Sequence, residues 1–359
     1  MVTIKDIASM ANVSRGTVDR VLNNRGGVSA KTEERVRMIA EKLNYSPSLA
    51  GKELAAIKKG LKFGFILPTD LSNHSSVSRA VIRKTSELAE YGVTVVPRYV
   101  MRENLNDLLC AMDDLREEGI SGIALSPMDS ELLTRKVQEL ADAGIPVVTY
   151  EYDLPGSSRL ACIGCDYYRN GQTIAGIVRL LLRSGGNVGI ISGDMSARVH
   201  AQRIRGIEDH LQESGRAIHV VEKRVCFEDD ISTYTTLKSM LEEHPEIDLV
   251  VLNVVSSYGG MRAIKESSKP LRVISTNRIS QMEQYLFDGS ADAVITHQPW
   301  LLADMSLDVL FRCLVWGLKP HFETFYTNDE VIIAENAYSK KLELLAYQND
   351  SHQKRGVLR

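Results

Sequence analysis

The chain has 359 residues, 44% of them hydrophobic and 25% charged, with a formal net charge of −3 at pH 7, an ordinary soluble composition with room for two or three folding units. No apolar stretch approaches the ~18–20 residues that span a bilayer, and no secretory leader is expected, because the first residues lack an apolar core followed by small side chains. Five scattered cysteines (Cys110, Cys162, Cys165, Cys226, Cys313) argue against a disulfide framework, and the lone C-x-x-C at Cys162 and Cys165 lacks the second pair or nearby histidines of a zinc site, so they read as small core residues in a reducing cytoplasm.

The first elements are helical. Residues 3–8 open a short helix, and 13–23 supply a turn and a second one. Thr3 and Ser14 are good N-caps, since each hydroxyl can accept a bond from an orphan backbone N–H. Ile4, Ile7, Ala8, Val18, Val21 and Leu22 fall three and four apart, which gives each helix an apolar stripe that can pack on the other. The opposite face of the second helix carries Arg15, Gly16, Asp19 and Arg20. A helix of that width fits the DNA major groove, where a guanidinium can bond guanine O6 and N7 together. Charge agrees with this placement. Residues 1–60 hold 11 Lys and Arg against 6 Asp and Glu, whereas the remainder holds 32 against 40. A basic head on an acidic body suits a head that meets phosphates.

A third helix is predicted over 30–43, capped by Ser29, with Val36, Ile39, Ala40 and Leu43 inward. The Asn44-Tyr45-Ser46-Pro47 run stops it, because the residue before proline avoids helical geometry. Residues 48–57 form a short amphipathic segment ended by Lys58-Lys59-Gly60. It is too short to be a stable helix alone and carries Gly51, so it is predicted to be a hinge that folds only when held.

From Lys62 onward, β-branched apolar runs alternate with helical stretches. Strands are predicted at 63–67, 94–97, 122–125, 146–150, 188–191, 219–225, 249–252, 273–276 and 293–296, with helices such as 82–91, 105–117, 132–143 and 204–213 between them. Repeating strand–helix units imply parallel sheets with helices on both faces. About ten strands are too many for one such sheet at this length. The expected body is therefore α/β and bilobed, two doubly wound sheets over 62–155 and 165–290 with later strands crossing back, and a ligand would sit at the carboxyl ends of the strands. The division is a helix-turn-helix headpiece (1–47), a hinge (48–60), a bilobed ligand-binding and dimerisation domain (61–338) and a tail (339–359). No enzyme motif stands out: there is no phosphate-binding loop, no G-x-S-x-G and no H-E-x-x-H. Asp229-Asp230 reads as a solvated helix start, and Ser184-Gly185-Gly186 as a turn.

The runs TIKDIA (3–8), VSRGTVDRVLN (13–23), VSAKTEERV (28–36) and LNYSP (43–47) stand in the order and spacing of the lactose-repressor (LacI/GalR) family, and the chain resembles that family throughout 3–54. The body resembles the type I periplasmic-binding-protein fold carried behind the family's headpiece. That likeness rests on SPMDSEL (126–132), GIPVV (144–148), GCDYYRNGQ (164–172), RIRGI (203–207) and THQP (296–299), and Ser-Pro-x-Asp-Ser looks most like the ribose-binding branch.

The resemblance implies DNA contacts from Thr3, Ser14, Arg15, Gly16, Thr17, Asp19, Arg20, Asn23, Ser29 and Leu54. Arg15 and Arg20 would read bases, and Thr3, Ser14, Asn23 and Ser29 would position phosphates or simply cap helices. Leu54 would be a minor-groove wedge. Asp19 departs from the family's usual serine. In the cleft it implies Asn73, Glu151, Arg203, Asn253, Asn277 and Gln298. The aromatic pair usual after Asn73 is replaced by His74 and Ser75, and the sugar-stacking aromatic is absent or displaced to Phe227, with Tyr150, Tyr152, Tyr258 and Trp300 as possible substitutes. These departures put a plain pentose in doubt and keep a sugar acid open. The expected protein is a cytoplasmic, non-enzymatic transcription regulator, a repressor that binds palindromic operator DNA as a homodimer. A sugar or sugar derivative between its lobes would control it, with no cofactor and no metal. A tail with only Leu342, Leu344 and Leu345 favours a dimer over the family's tetramer. A ligand-binding protein or metabolic enzyme with a vestigial headpiece, an activator, and a corepressor-dependent regulator stay open.

Overall fold

The computed structural model describes residues 2–22, 26–43, 45, 49–69, 71–101, 104–227, 229–254, 256–267, 269–276 and 282–337, with 71–75 described by backbone alone. Asn23, Asn277, the stop signal at Asn44, Ser46 and Pro47, Ser48 and the tail 339–359 lie outside the described residues, as does the side chain of Asn73.

The headpiece is three helices, α1 (Ile4–Ala11), α2 (Arg15–Leu22) and α3 (Ala30–Lys42). Ile7, Ala8, Val18, Val21, Val36 and Ala40, stripe residues that spacing picks out, make its core together with Ala11, and Ile4, Leu22, Ile39 and Leu43 pack partly buried against it. Asn12 takes the left-handed conformation at the end of α1 (φ 49°), a role asparagine fills more readily than most residues. The chain thereby turns sharply and delivers Ser14 to cap α2. Helix α4 (Leu49–Lys59) follows.

The body begins with β1 (Lys62–Pro68), α5 (Leu71–Ala89), β2 (Thr94–Val100), α6 (Leu105–Glu117), β3 (Gly122–Leu125), α7 (Glu131–Asp142), β4 (Val147–Glu151) and β5 (Ala161–Gly164). It continues with α8 (Tyr167–Leu181), β6 (Gly186–Ser192), α9 (Arg198–Glu213), β7 (Ile218–Val225), α10 (Asp230–Glu243), β8 (Leu249–Asn253), α11 (Ser257–Glu266), β9 (Arg272–Ser275), α12 (Met282–Phe287) and β10 (Ala293–Thr296). The chain then returns through α13 (Pro299–Leu314), β11 (Thr324–Tyr326) and β12 (Glu330–Ile332). Two six-stranded sheets result, ordered β11-β5-β4-β3-β1-β2 and β12-β10-β9-β8-β6-β7. Every pairing is parallel except β10 with β12. This is the expected bilobed α/β architecture. Each sheet is buried on both faces, by α5 and α13 on one side of the first (around Phe63, Phe65 and Leu307) and α6 and α7 on the other (around Met112, Leu115 and Leu133). Burying each such side chain contributes about 1.5–3 kcal/mol.

Three segments cross between the lobes. They are Cys165-Asp166 between β5 and α8, His297-Gln298 between β10 and α13, and Thr327 to Asp329 between β11 and β12. All three lie at carboxyl ends of strands, so the gap between the lobes is lined by strand ends from both sheets.

Candidate functional site

In the headpiece, three predicted hydroxyls are engaged as helix caps. Thr3 forms a capping box with Asp6, whose backbone N–H donates to Thr3 Oγ1 at 3.4 Å while the Thr3 N–H donates to Asp6 Oδ2 at 2.8 Å. The Thr3 hydroxyl, which donates to Asp6 Oδ2 at 2.7 Å, and then the Thr3 N–H hold the Asp6 carboxyl below its ordinary pKa. Thr17 N–H donates to Ser14 Oγ (3.1 Å), and Thr17 Oγ1 lies 2.9 Å from the same oxygen. Thr32 N–H donates to Ser29 Oγ (3.3 Å). Capping leaves the remaining N–H groups of each first turn pointing outward, a ready anion site. Arg15, Gly16 and Arg20 share the exposed side of α2, and Asp19 is half-buried between them and the core. Arg15 and Arg20 make no hydrogen bond or ion pair among the described residues. Leu54 is 62% exposed on α4.

Between the lobes, the crossovers gather a polar cluster. Its centre is Arg203, only 6% exposed, in the second turn of α9. Two glycines allow α8 and α9 to cross closely enough to bury it. A Cβ on Gly171 would sit 2.1 Å from the Arg203 carbonyl oxygen, and one on Gly206 the same distance from the Tyr168 carbonyl oxygen. The guanidinium then reaches across two elements. Its Nε donates to Asn170 Oδ1 at 2.6 Å, and its Nη1 donates to Asn253 Oδ1 at 2.5 Å. Asn253, at the end of β8, donates in turn to Ser192 Oγ at the end of β6 (3.1 Å). Asn170 Nδ2 donates to Asp329 Oδ1 (2.7 Å), and Thr173 Oγ1 donates to Asp329 Oδ2 (2.7 Å). The third crossover is thus tied to α8, and through it to Arg203.

The guanidinium lies over the Tyr167 ring, 5.2 Å from its centroid. Burial lowers its pKa and raises that of Tyr167, but a guanidinium stays protonated. Its immediate acceptors are neutral amides. No carboxylate pairs with it within 4.0 Å among the described residues, and Nη2 has no hydrogen-bond partner among them. A largely desolvated cation with a spare donor suits a ligand oxygen, since charge-assisted bonds of this kind are the strong ones.

Glu151 ends β4 and takes a left-handed backbone conformation (φ 67°), which costs about 1–3 kcal/mol for a residue with a Cβ. Ser126 Oγ lies 3.5 Å from Glu151 Oε2. His297, in the second crossover, stands edge-on to Tyr167 (centroids 6.1 Å apart), and Tyr152 lies 6.3 Å from the same ring. Desolvation lowers the His297 pKa against the opposing pull of Glu151, so the imidazole is neutral near pH 7. Gln298 occupies the N-cap position of α13 without a side-chain capping bond. The backbone of Asn73 lies in the first turn of α5, after β1.

The aromatic candidates separate clearly. Tyr150 belongs to the core: fully buried, it stacks on Phe65 (5.0 Å) and its hydroxyl donates to the Ile66 carbonyl (2.6 Å). Trp300 packs on the first lobe under Arg83. Tyr258 is half-exposed at the start of α11, while Phe227, just beyond β7, is 92% exposed. Burial pushes Cys162 and Cys165 to about 12, so neither is a thiolate near neutrality. Among the described residues no cluster of His, Cys, Asp or Glu is arranged to hold a metal, and no helix is long and apolar enough to cross a membrane.

Sequence reasoning missed Tyr167, Asn170, Ser192, His297 and Asp329. Asn170 had a signal: it lies three residues after Tyr167 and four before Ile174, on the inward stripe of α8, where a polar side chain is out of place. His297 follows an apolar strand directly. Asp329 gives no local sign.

Residues 3–48 match the sequence profile for bacterial regulatory proteins of the lacI family, and residues 89–317 match that of a periplasmic binding protein domain. Catabolite control protein A of Priestia megaterium is 27% identical over 249 residues, covering 67% of this chain and 70% of its own. The ribose operon repressor of Halalkalibacterium halodurans is 29% identical over 273 residues, covering 73% and 75%. Among solved structures, the arabinose binding protein AraP of Geobacillus stearothermophilus superposes with a TM-score of 0.68 at 20% identity, over 77% of this chain and 97% of that one.

Proposed function

Because this chain belongs to the LacI family of DNA-binding transcription regulators, a non-enzymatic family, and carries a periplasmic-binding-protein-like domain, we propose that it is a cytoplasmic repressor that binds a palindromic operator as a homodimer and is controlled by a small polar effector. The effector is a sugar or sugar derivative held between the lobes. Its hydroxyls meet Glu151 and Gln298, and an acceptor oxygen takes the spare Nη2 of Arg203, which the fully buried Asn253 holds in place. At the other end, Arg15 and Arg20 read base edges from α2, and the capped helix starts at Thr3, Ser14 and Ser29 seat the phosphates.

One observation carries the effector reading: a guanidinium is buried where three crossovers meet and is bonded only to neutral amides. Such a cluster has two arrangements available to it, lobes apart or together. A ligand that binds one better shifts the balance only by that difference in affinity.

Thermal-shift screening of the full chain against neutral sugars, polyols and sugar acids tests this. A true effector at 100 times its Kd should raise stability by about 2.7 kcal/mol, and Arg203→Met should abolish the shift. If no compound in the three classes moves the melting temperature, the effector reading fails. For the other end, duplexes selected by the protein from a random pool should show a steep fall of log affinity with log salt, and a flat response would remove phosphate-driven binding.

A further inference from the structure

Arg203 is buried without a counter-charge from the chain itself. Its Nε and Nη1 donate to the side-chain oxygens of Asn170 and Asn253, both neutral, whereas buried charges are as a rule paired. Two carboxylates face the same cluster, but each is directed elsewhere. Asp329 accepts from Asn170 Nδ2 on one oxygen and from Thr173 Oγ1 on the other. Glu151 sits at the end of β4 with the Ser126 hydroxyl 3.5 Å from its Oε2.

Two further side chains beside the guanidinium have unused hydrogen-bonding atoms. Tyr167, the first residue of α8, lies with its ring centroid 5.2 Å from the guanidinium carbon. The residue is only 5% exposed, and its hydroxyl makes no hydrogen bond among the described residues. Unlike the Thr149 hydroxyl, which is sealed off and unsatisfied, the Tyr167 hydroxyl stays accessible. The same holds for Arg203 Nη2 and for both ring nitrogens of His297, which stands edge-on to Tyr167 with centroids 6.1 Å apart. Three elements (α8, α9 and the second crossover) thus bring a guanidinium, a phenol and an imidazole together with donors to spare.

With the gap between the lobes read as the effector site, as proposed above, we infer that the effector is a hydroxy acid of the sugar series, an aldonate or uronate, whose carboxylate is taken by Arg203 Nη2, the Tyr167 hydroxyl and an N–H of His297. A guanidinium offers only donors, a phenol one O–H, and a neutral imidazole one N–H. A carboxylate answers that set with two acceptor oxygens and a negative charge, and such charge-assisted bonds are the strong ones. Glu151, which accepts only, takes hydroxyls at the other end of the molecule. A sugar phosphate fits less well. The charges acting on His297 are those of Arg203, Glu151 and Asp329, one cation against two carboxylates, and a phosphate near −2 would overfill the site with negative charge.

The test is calorimetric titration of the full-length protein with D-gluconate, D-galactonate, D-glucuronate and D-galacturonate. Each is run beside the neutral aldose of the same configuration and the matching hexose monophosphate. The tightest acid should bind at least about 100-fold better than its aldose, since the aldose leaves buried donors unmatched. Tyr167→Phe keeps the ring and loses only the hydroxyl, and should weaken that acid about tenfold, the size of one hydrogen bond to a charged group. His297→Leu should do the same, while His297→Gln, which retains an N–H, should recover most of the loss. Asn170→Asp places a carboxylate against Arg203 and should weaken the acid at least about 100-fold; Tyr167→Phe decides the matter if that variant does not fold. An aldose that binds as well as its acid, or a phosphate that binds better, would overturn the inference and leave the effector site standing. Unchanged acid affinity in both Tyr167→Phe and His297→Leu would overturn it equally, by placing the carboxylate elsewhere. Silence across the whole panel would sink it together with the effector reading beneath it.

Discussion

Asn170→Ala offers the sharpest test of the cleft. Asn170 is 1% exposed, and its amide serves two charged neighbours: the oxygen accepts from Arg203 Nε at 2.6 Å, and the nitrogen donates to Asp329 at 2.7 Å. Hydrogen bonds to charged groups contribute about 1.5–3 kcal/mol each. The Arg203 side deserves the upper part of that range, because water reaches the guanidinium poorly, and the half-exposed Asp329 the lower part, because water can replace the lost donor. A net loss of about 4–5 kcal/mol follows. Urea unfolding, followed through the transition midpoint at constant m, gives the number directly. Arg203→Met supplies the control. If Asn170 acts by satisfying Arg203, the double variant should fall short of additivity by at least about 1.5 kcal/mol, as expected for contacting partners. A cost below about 1 kcal/mol, or strict additivity, would refute the account of how the cation is tolerated.

Gly206→Ala should also be damaging, since its methyl would meet the Tyr168 carbonyl oxygen at 2.1 Å; overpacking of roughly 3 kcal/mol predicts a melting temperature lower by about 6 °C or more, and calorimetry would show it. His297 titrates below the ordinary histidine value of 6.5 in the folded chain, so between that value and its folded pKa the unfolded chain binds more protons. Stability should therefore fall as pH drops below about 6.5, and His297→Gln should flatten that limb in urea midpoints taken from pH 7 to 5. Arg20→Ala should cost roughly 1–3 kcal/mol of discrimination between selected and random duplex, measurable by fluorescence anisotropy; unchanged discrimination would move base reading elsewhere on α2.

The lobes were legible because each buried strand needs a run of β-branched residues, and all nine predicted strands lie within or overlap observed ones. Strands β5, β11 and β12 were not predicted: β11 and β12 are only three residues long, β11 is no more than half-buried, so no apolar run marks it, and nothing local sets apart the four residues of β5. The front of α5 was hidden for another reason: Ser72-Asn73-His74-Ser75-Ser76 is a poor helix-forming run, and only the later part shows periodicity. The same holds for α9, predicted from Ile204 but starting at Arg198. In the cleft, Arg203, Asn253 and Glu151 were named through the family resemblance; Glu151 and Asn253 end strands, and Arg203 lies inside α9. The bond between Asn170 and Asp329 joins positions 159 residues apart, and nothing local to either could announce it. The caps at Thr3, Ser14 and Ser29 were readable because capping is decided within four residues.

Helix α13 has a consequence of its own. It starts beside His297 and Gln298 in the crossover and ends two residues before Trp316; at 1.5 Å per residue its 16 residues span about 24 Å. A helix resists compression along its axis far better than a loop does. Nudging its first turn therefore displaces its last, like a pushrod between two chambers. A substitution anywhere along its length is then felt at both of its ends together.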